Sequence, residues 1–273
     1  MAIRTASVSG DFNGTTTWGG DAVPTASDGF VISTGVTVTV SDARTVDGWT
    51  VRGSGVLAIA GTGSLTSTAE TLVEGDGTWS DAPRPAKVTV AAGGSLLWAP
   101  GAGVTIAHNM GGAAYRHCAI RARGTAGARC TIGKADGSAG TLVARSVHVY
   151  TCAMFDCEHA DLPGWGGAGV KALHYFIGYN VLVRFVDCTF VDNGVWDLEL
   201  RLLEAGHECT FRRCRWVGSP DATSLLFSMS GAGLATFDGC HFAGHATFNA
   251  GGNPNLVLAD CTFRRQLGGN WPG

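Results

Sequence analysis

Along residues 183–193, VRFVDCTFVDN, apolar and polar positions nearly alternate. Arg184 points out, Phe185 in, Asp187 out, Cys188 in, Thr189 out and Phe190 in. The step from Phe185 to Asp187 breaks strict alternation. The pattern therefore predicts two short strands meeting at a bend near Val186. The same kernel returns at 211–216 (FRRCRW), 237–242 (FDGCHF) and 258–263 (LADCTF), with a weaker copy at 154–159 (MFDCEH). Its cysteines are Cys157, Cys188, Cys214, Cys240 and Cys261, separated by 31, 26, 26 and 21 residues. Irregular gaps above a common floor predict coils of that minimum length, enlarged by loops. The 3.6-residue apolar period of a helical repeat is missing.

Coils of this kind stack about 4.8 Å apart, so equivalent side chains lie above one another. Three inward ladders are predicted. One holds Cys157, Cys188, Cys214, Cys240 and Cys261. A second holds Phe190, Trp216, Phe242 and Phe263. A third holds Met154, Phe185, Phe211, Phe237 and Leu258. A buried free cysteine acts as a small hydrophobe, so the first ladder needs no redox role. Disulfides between coils are the alternative that such spacing permits.

The N-terminal half repeats more loosely. Residues 35–40, 48–65 and 87–107 each contain short Val/Thr/Ile strands, the longer two broken by Gly-rich turns. Residues 12–32 read as a cap, with Trp18 a lid over the open end. Residues 161–169 read as a loop leaving the coil, and 192–206 as a strand or one helical turn. The expected organisation is a cap at 1–30, thin Gly-rich coils at 31–150, and Cys/Phe-ladder coils with a C-terminal cap containing Trp271 at 151–273.

Composition agrees with an all-β reading: 41 of 273 residues are Gly and only 15% are charged. The net charge is −3, so no nucleic-acid partner is expected. No segment has the length and apolarity of a membrane helix, and the first residues lack a secretory signal. Synthesis in a cytoplasm, away from membranes, is expected. Nine cysteines without a Cys-x-x-Cys pair, and histidines without ligand spacing, predict no metal and no cofactor.

The kernels FVDCTF, FRRCRW, FDGCHF and LADCTF resemble coils of right-handed parallel β-helix proteins of the pectate-lyase-like group. The resemblance covers about residues 150–265. The opening, TTTWGGDAVPTASDGFVISTGVTVTV (15–40), resembles the start of many β-solenoid proteins of tailed bacteriophages. The fold implied is a single-stranded right-handed parallel β-helix with an N-terminal cap.

This fold group hosts lyases, glycoside hydrolases, adhesins and virion spikes. A catalytic member needs acids and bases on one outward face. The candidates are Asp156, Glu158 and Asp187, with His159 and Asp161 nearby, followed by Arg213 and Arg215 on the next coil. Two carboxylates about 5–9 Å apart, one kept protonated, suit glycoside hydrolysis. Alternating acid and base also suits a solvated β-face that balances its own charge. Trp165 and Trp196 are candidates for stacking on sugar rings.

The function expected is structural: a virion protein of a tailed phage, a capsid decoration or cement protein, located in the particle beside other virion proteins. A homotrimer is the expected assembly. The alternatives are a tailspike-like polysaccharide lyase or hydrolase, or a non-catalytic binder of a surface glycan.

Overall fold

The computed structural model describes residues 2–69, 71–74, 86–99, 102, 104–107, 117–135, 144–146, 149–150, 152–164, 173–174, 178–179, 182–191, 196–201, 208–217, 225–230, 233–243, 246–251 and 255–263. Strands return in a three-beat cycle. Trp49–Val51, Val56–Ile59 and Ser64–Ser67 form one turn of chain. Thr71–Glu74, Ala86–Ala91 and Ser95–Trp98 pair in parallel onto those three strands in the same order. Among the described residues, repeating the cycle builds three all-parallel sheets of ten, ten and nine strands. A small fourth sheet pairs Val149–Tyr150 with Gly178–Tyr179. Among the described residues, the one helical element is the 3-10 turn Thr15–Trp18. The chain is all-β, with the strand order of a parallel β-helix.

Period-2 patterning makes these strands. In Thr37–Val40 and Val56–Ile59 every second residue is buried and its neighbours face solvent. Register then stacks the inward residues. Val40, Ile59, Val90, Ala122, Cys157, Phe185, Phe211, Phe237 and Leu258 form one column. Phe190, Trp216, Phe242 and Phe263 form another. Their rings lie nearly parallel: Phe211 to Phe237 at 4.8 Å and 9°, Phe190 to Trp216 at 4.9 Å and 3°, Trp216 to Phe242 at 4.6 Å and 12°. These separations match the spacing between neighbouring strands, about 4.7–4.9 Å. The backbone ladder sets the ring spacing, and the rings fill the interior at that pitch.

The register corrects one predicted ladder. Cys157 is level with Phe185, so its thiol belongs to the phenyl column. The residue level with Cys188 is Ala160, since Asp161 pairs with Thr189; Ala160 in turn pairs with Cys130. The thiol column is therefore Cys130, Ala160, Cys188, Cys214, Cys240 and Cys261. The frame is set by the residue that turns the corner. His159 adopts φ 49°, as Asp187 adopts φ 52°, so Cys157–Leu162 matches Phe185–Phe190. Met154 falls at a register shift between Ala153 and Phe155 rather than level with Phe185, and its side chain lies outside the described residues.

One loop expectation changes: Asp161 lies in the strand Ala160–Pro163, whose inward Leu162 pairs with Phe190. Of the two forms expected for 192–206, the strand is found, at Trp196–Arg201. At the N-terminus Phe12, Trp18 and Phe30 are buried and meet edge-on at 5.2–5.6 Å. The Trp18 indole donates to the Phe12 carbonyl at 2.8 Å.

Truncating a ring in the middle of a stack leaves a void that rigid coils cannot close. Phe211→Ala is expected to destabilise the protein by about 3–5 kcal/mol. The outward-facing Thr236→Ala is expected to cost no more than about 0.5 kcal/mol. Urea denaturation of the two variants checks the difference.

Candidate functional site

The chemistry-bearing side chains collect at the corner between the second and third sheets. In five coils a single residue turns that corner in the left-handed region: His159, Asp187, Arg213, Gly239 and Asp260, with φ between 49° and 61°. That conformation costs a non-glycine residue about 1–2 kcal/mol. Ladder hydrogen bonds hold it. The Asp187 N–H donates to the Arg212 carbonyl (2.9 Å), Arg213 N–H to Asp238 (2.7 Å) and Gly239 N–H to Ala259 (2.9 Å). In two of the thin coils, from Ile59 to Leu65 and from Val90 to Leu96, the same corner is one residue longer and passes through glycines. A Cβ on Gly63 would lie 2.1 Å from the Val40 carbonyl oxygen, and one on Gly94 2.7 Å from that of Ala60.

The residue after each left-handed corner points inward, and in four coils it is cysteine. Each thiol sits between two main-chain carbonyls. Cys188 Sγ reaches Val186 (3.3 Å) and Cys157 (3.6 Å). Cys214 Sγ reaches Phe185 (3.4 Å) and Arg212 (3.5 Å). Cys240 Sγ reaches Phe211 (3.3 Å) and Asp238 (3.6 Å). Cys261 Sγ reaches Phe237 and Ala259, both at 3.4 Å. Cysteine suits the place because it is small, apolar and a weak donor. Burial pushes the Cys209 and Cys214 thiols well above the usual range, as it raises Cys130. Such thiols are poor nucleophiles.

Outside the same corner, acids and arginines bond across coils. Asp156 Oδ1 accepts from Arg184 Nη1 at 2.8 Å, while Oδ2 pairs with Arg123 and lies 3.4 Å from Arg121 Nε. Burial alone would push the Asp156 carboxyl up; hydrogen bonds from Arg123 and Arg184 hold it below the ordinary range. Asp187 accepts from Arg213 Nε (2.7 Å) and Nη2 (2.6 Å), a bidentate fork that holds its carboxyl low. Glu158 lies 3.7 Å from Arg184, and Asp238 lies 3.2 Å from Arg212.

Arg129 bonds to two further coils. It stands in a widened corner whose turn is closed by Thr125 and Ala128. Its Nε donates to Asp161 Oδ1 (2.7 Å). Its Nη2 donates to the Ala160 carbonyl (2.9 Å), the Asp187 carbonyl (2.9 Å) and Thr189 Oγ1 (3.2 Å). One guanidinium therefore ties its own coil to the next two.

Asp156 and Asp187 each precede a kernel cysteine but do not occupy equivalent positions in their coils. Asp156 is level with Arg184, and Asp187 stands at the corner after His159. Glu158 is level with Val186. Arg213 is spent on Asp187, and Arg215 lies between Thr189 and His241 in its column. Trp165 and Trp271 lie outside the described residues. Trp196 is on a strand paired with Leu225, but its side chain lies outside them. No sequence signal marked Arg129, because it sits in a loop and meets acceptors 31 to 60 residues away. Among the described residues no group of three or more His, Cys, Asp or Glu is placed to hold a metal ion, and no helix is long and apolar enough to cross a membrane.

A glycosidase acid needs a carboxyl whose pKa is raised so that it keeps its proton. Asp156 and Asp187 are shifted the other way. Their geometry serves charge pairing between coils. No family model, curated protein or solved structure matches the chain.

Two outcomes are expected. Asp156, Asp187 and Asp28 (held to about 2 by the Ala2 and Thr25 N–H groups and the Thr25 hydroxyl) have folded pKa values below their unfolded ones. Their stabilising contribution is complete above the unfolded value of about 3.9 and is lost as pH falls through the folded values. The urea midpoint should be flat from pH 7 to 5 and drop between pH 4 and 2, with a smaller drop in Asp156→Asn. Arg129→Ala should cost about 2–3 kcal/mol in the same assay, with Lys restoring little because it lacks the planar fork.

Proposed function

We propose that this chain is a structural protein of a tailed-bacteriophage particle, a capsid decoration or cement protein built as a right-handed parallel β-helix of the pectate-lyase-like group. The observation that carries this reading is the corner seam. Its Asp156 and Asp187 carboxylates are neutralised by arginines of adjoining coils and held low, which favours mechanical cohesion over proton transfer. Main-chain groups paired up and down three sheets make a stiff element that resists proteolysis. Right-handedness is the sense favoured for parallel strands joined by crossovers. In this reading Phe12, Trp18 and Phe30 close the first coil as a cap, and the partners are other virion proteins, with a homotrimer as the assembly.

The second reading is a binder or depolymerase of an acidic surface glycan. It is favoured by the three arginines, Arg121, Arg123 and Arg184, gathered at Asp156.

The expected result is recovery of the chain in purified particles at fixed stoichiometry by quantitative mass spectrometry. No reducing or unsaturated ends should appear from acidic polysaccharides. Absence from particles, together with turnover lost in Asp187→Ala, would overturn the structural reading in favour of the enzyme. Glycan-array binding without turnover would favour the binder.

A further inference from the structure

The thiol column ends asymmetrically. Cys240 is 1% exposed, whereas Cys261 is half-buried. Beside Cys261 the inward-column residues Leu258 and Phe263 are 44% and 43% exposed, so solvent reaches this end. The two cysteines are stacked. The Thr262 N–H donates to the Cys240 carbonyl at 2.8 Å, and His241 is level with Thr262. Neighbouring strands lie about 4.8 Å apart, within the roughly 4.4–6.8 Å that a disulfide allows between Cα atoms. Burial raises the Cys261 thiol and a hydrogen bond from the Cys214 thiol lowers Cys240, so exposure rather than acidity makes Cys261 the first thiol to react. Cys188 and Cys214 are enclosed by the coils on either side.

We infer that Cys261 and Cys240 form a redox pair, in which Cys261 meets a small-molecule disulfide and Cys240 resolves the adduct into a disulfide between coils. In the first step the Cys261 thiolate attacks one sulfur of RSSR. A Cys261–S–S–R bond forms, the R–S–S–R bond breaks, and the released thiolate takes up the proton that Cys261 gave. In the second step the Cys240 thiolate attacks Cys261 Sγ, expels the second RS⁻ and forms the Cys240–Cys261 bond. The thiolate so released takes up the Cys240 proton. Two protein thiols are oxidised and one disulfide is reduced to two thiols. A reducing compartment keeps the pair open, and an oxidising one locks these two coils together. The inference does not depend on the virion reading.

The test uses the full, reduced chain incubated with oxidised glutathione, quenched with acid, digested and mapped by mass spectrometry. The expected product is one cross-link, Cys240 to Cys261, with Cys188, Cys209 and Cys214 still reduced. In Cys240→Ser a glutathione adduct should persist on Cys261. In Cys261→Ser, Cys240 should stay reduced. The wild type carries the test if either variant fails to fold: Cys261 should oxidise at least about tenfold faster than Cys214 in native buffer and at a similar rate in urea. A persistent adduct on Cys261 of the wild type, links scattered over several pairs, or equal native rates for Cys214 and Cys261 would each overturn the inference.

Discussion

One residue in the left-handed region carries the chain from the second sheet to the third in five coils, always at the same register. The rest of the C-terminal half depends on this corner. It fixes four residues between the two inward columns, from Phe185 to Phe190, Phe211 to Trp216 and Phe237 to Phe242. Phenyl and indole columns therefore run side by side without a register slip. In a narrow interior a slip of one residue would turn every ring outward.

The corner also explains the side chains around it. Asp and His tolerate positive φ better than most residues, and they occupy it at His159, Asp187 and Asp260. Arg213 stands there too, and its fork on Asp187 helps to hold it. The next residue must be small and point inward past carbonyls, and a thiol is small, apolar and able to donate. Outside, guanidinium groups bond carboxylates one coil away. Inside and outside, hydrogen bonds run along the stack, so cohesion between coils comes from repetition rather than from any single strong contact.

Much of this was legible because β patterning is local. The kernel VRFVDCTF showed which residues face in, placed the bend one residue before Asp187, and identified the Phe190–Phe263 column. Cys157 is misleading in sequence because MFDCEH matches the other kernels in residue type, whereas its frame is set by backbone conformation at His159, which sequence does not display. Asp156 and Asp187 are misaligned for the same reason. Asp156 and Asp187 look equivalent beside their cysteines but occupy a strand and a corner. The Arg129 clamp was illegible because its acceptors come from two other coils and three of its four bonds end on backbone carbonyls or a hydroxyl. Charge pairing of this kind ties neighbouring coils together and holds Asp156 and Asp187 ionised.

The corner geometry is tested most directly at Gly239, where φ is 61° and a Cβ would meet only the Arg213 Cγ, at 3.4 Å. Gly239→Asn and Gly239→Val fill similar space but differ in their tolerance of positive φ. The urea midpoint of the Asn variant should correspond to a loss of no more than about 1 kcal/mol, and that of the Val variant to a loss of roughly 2–3 kcal/mol. Equal stability of the two variants would contradict a left-handed corner, and with it the register on which the columns rest.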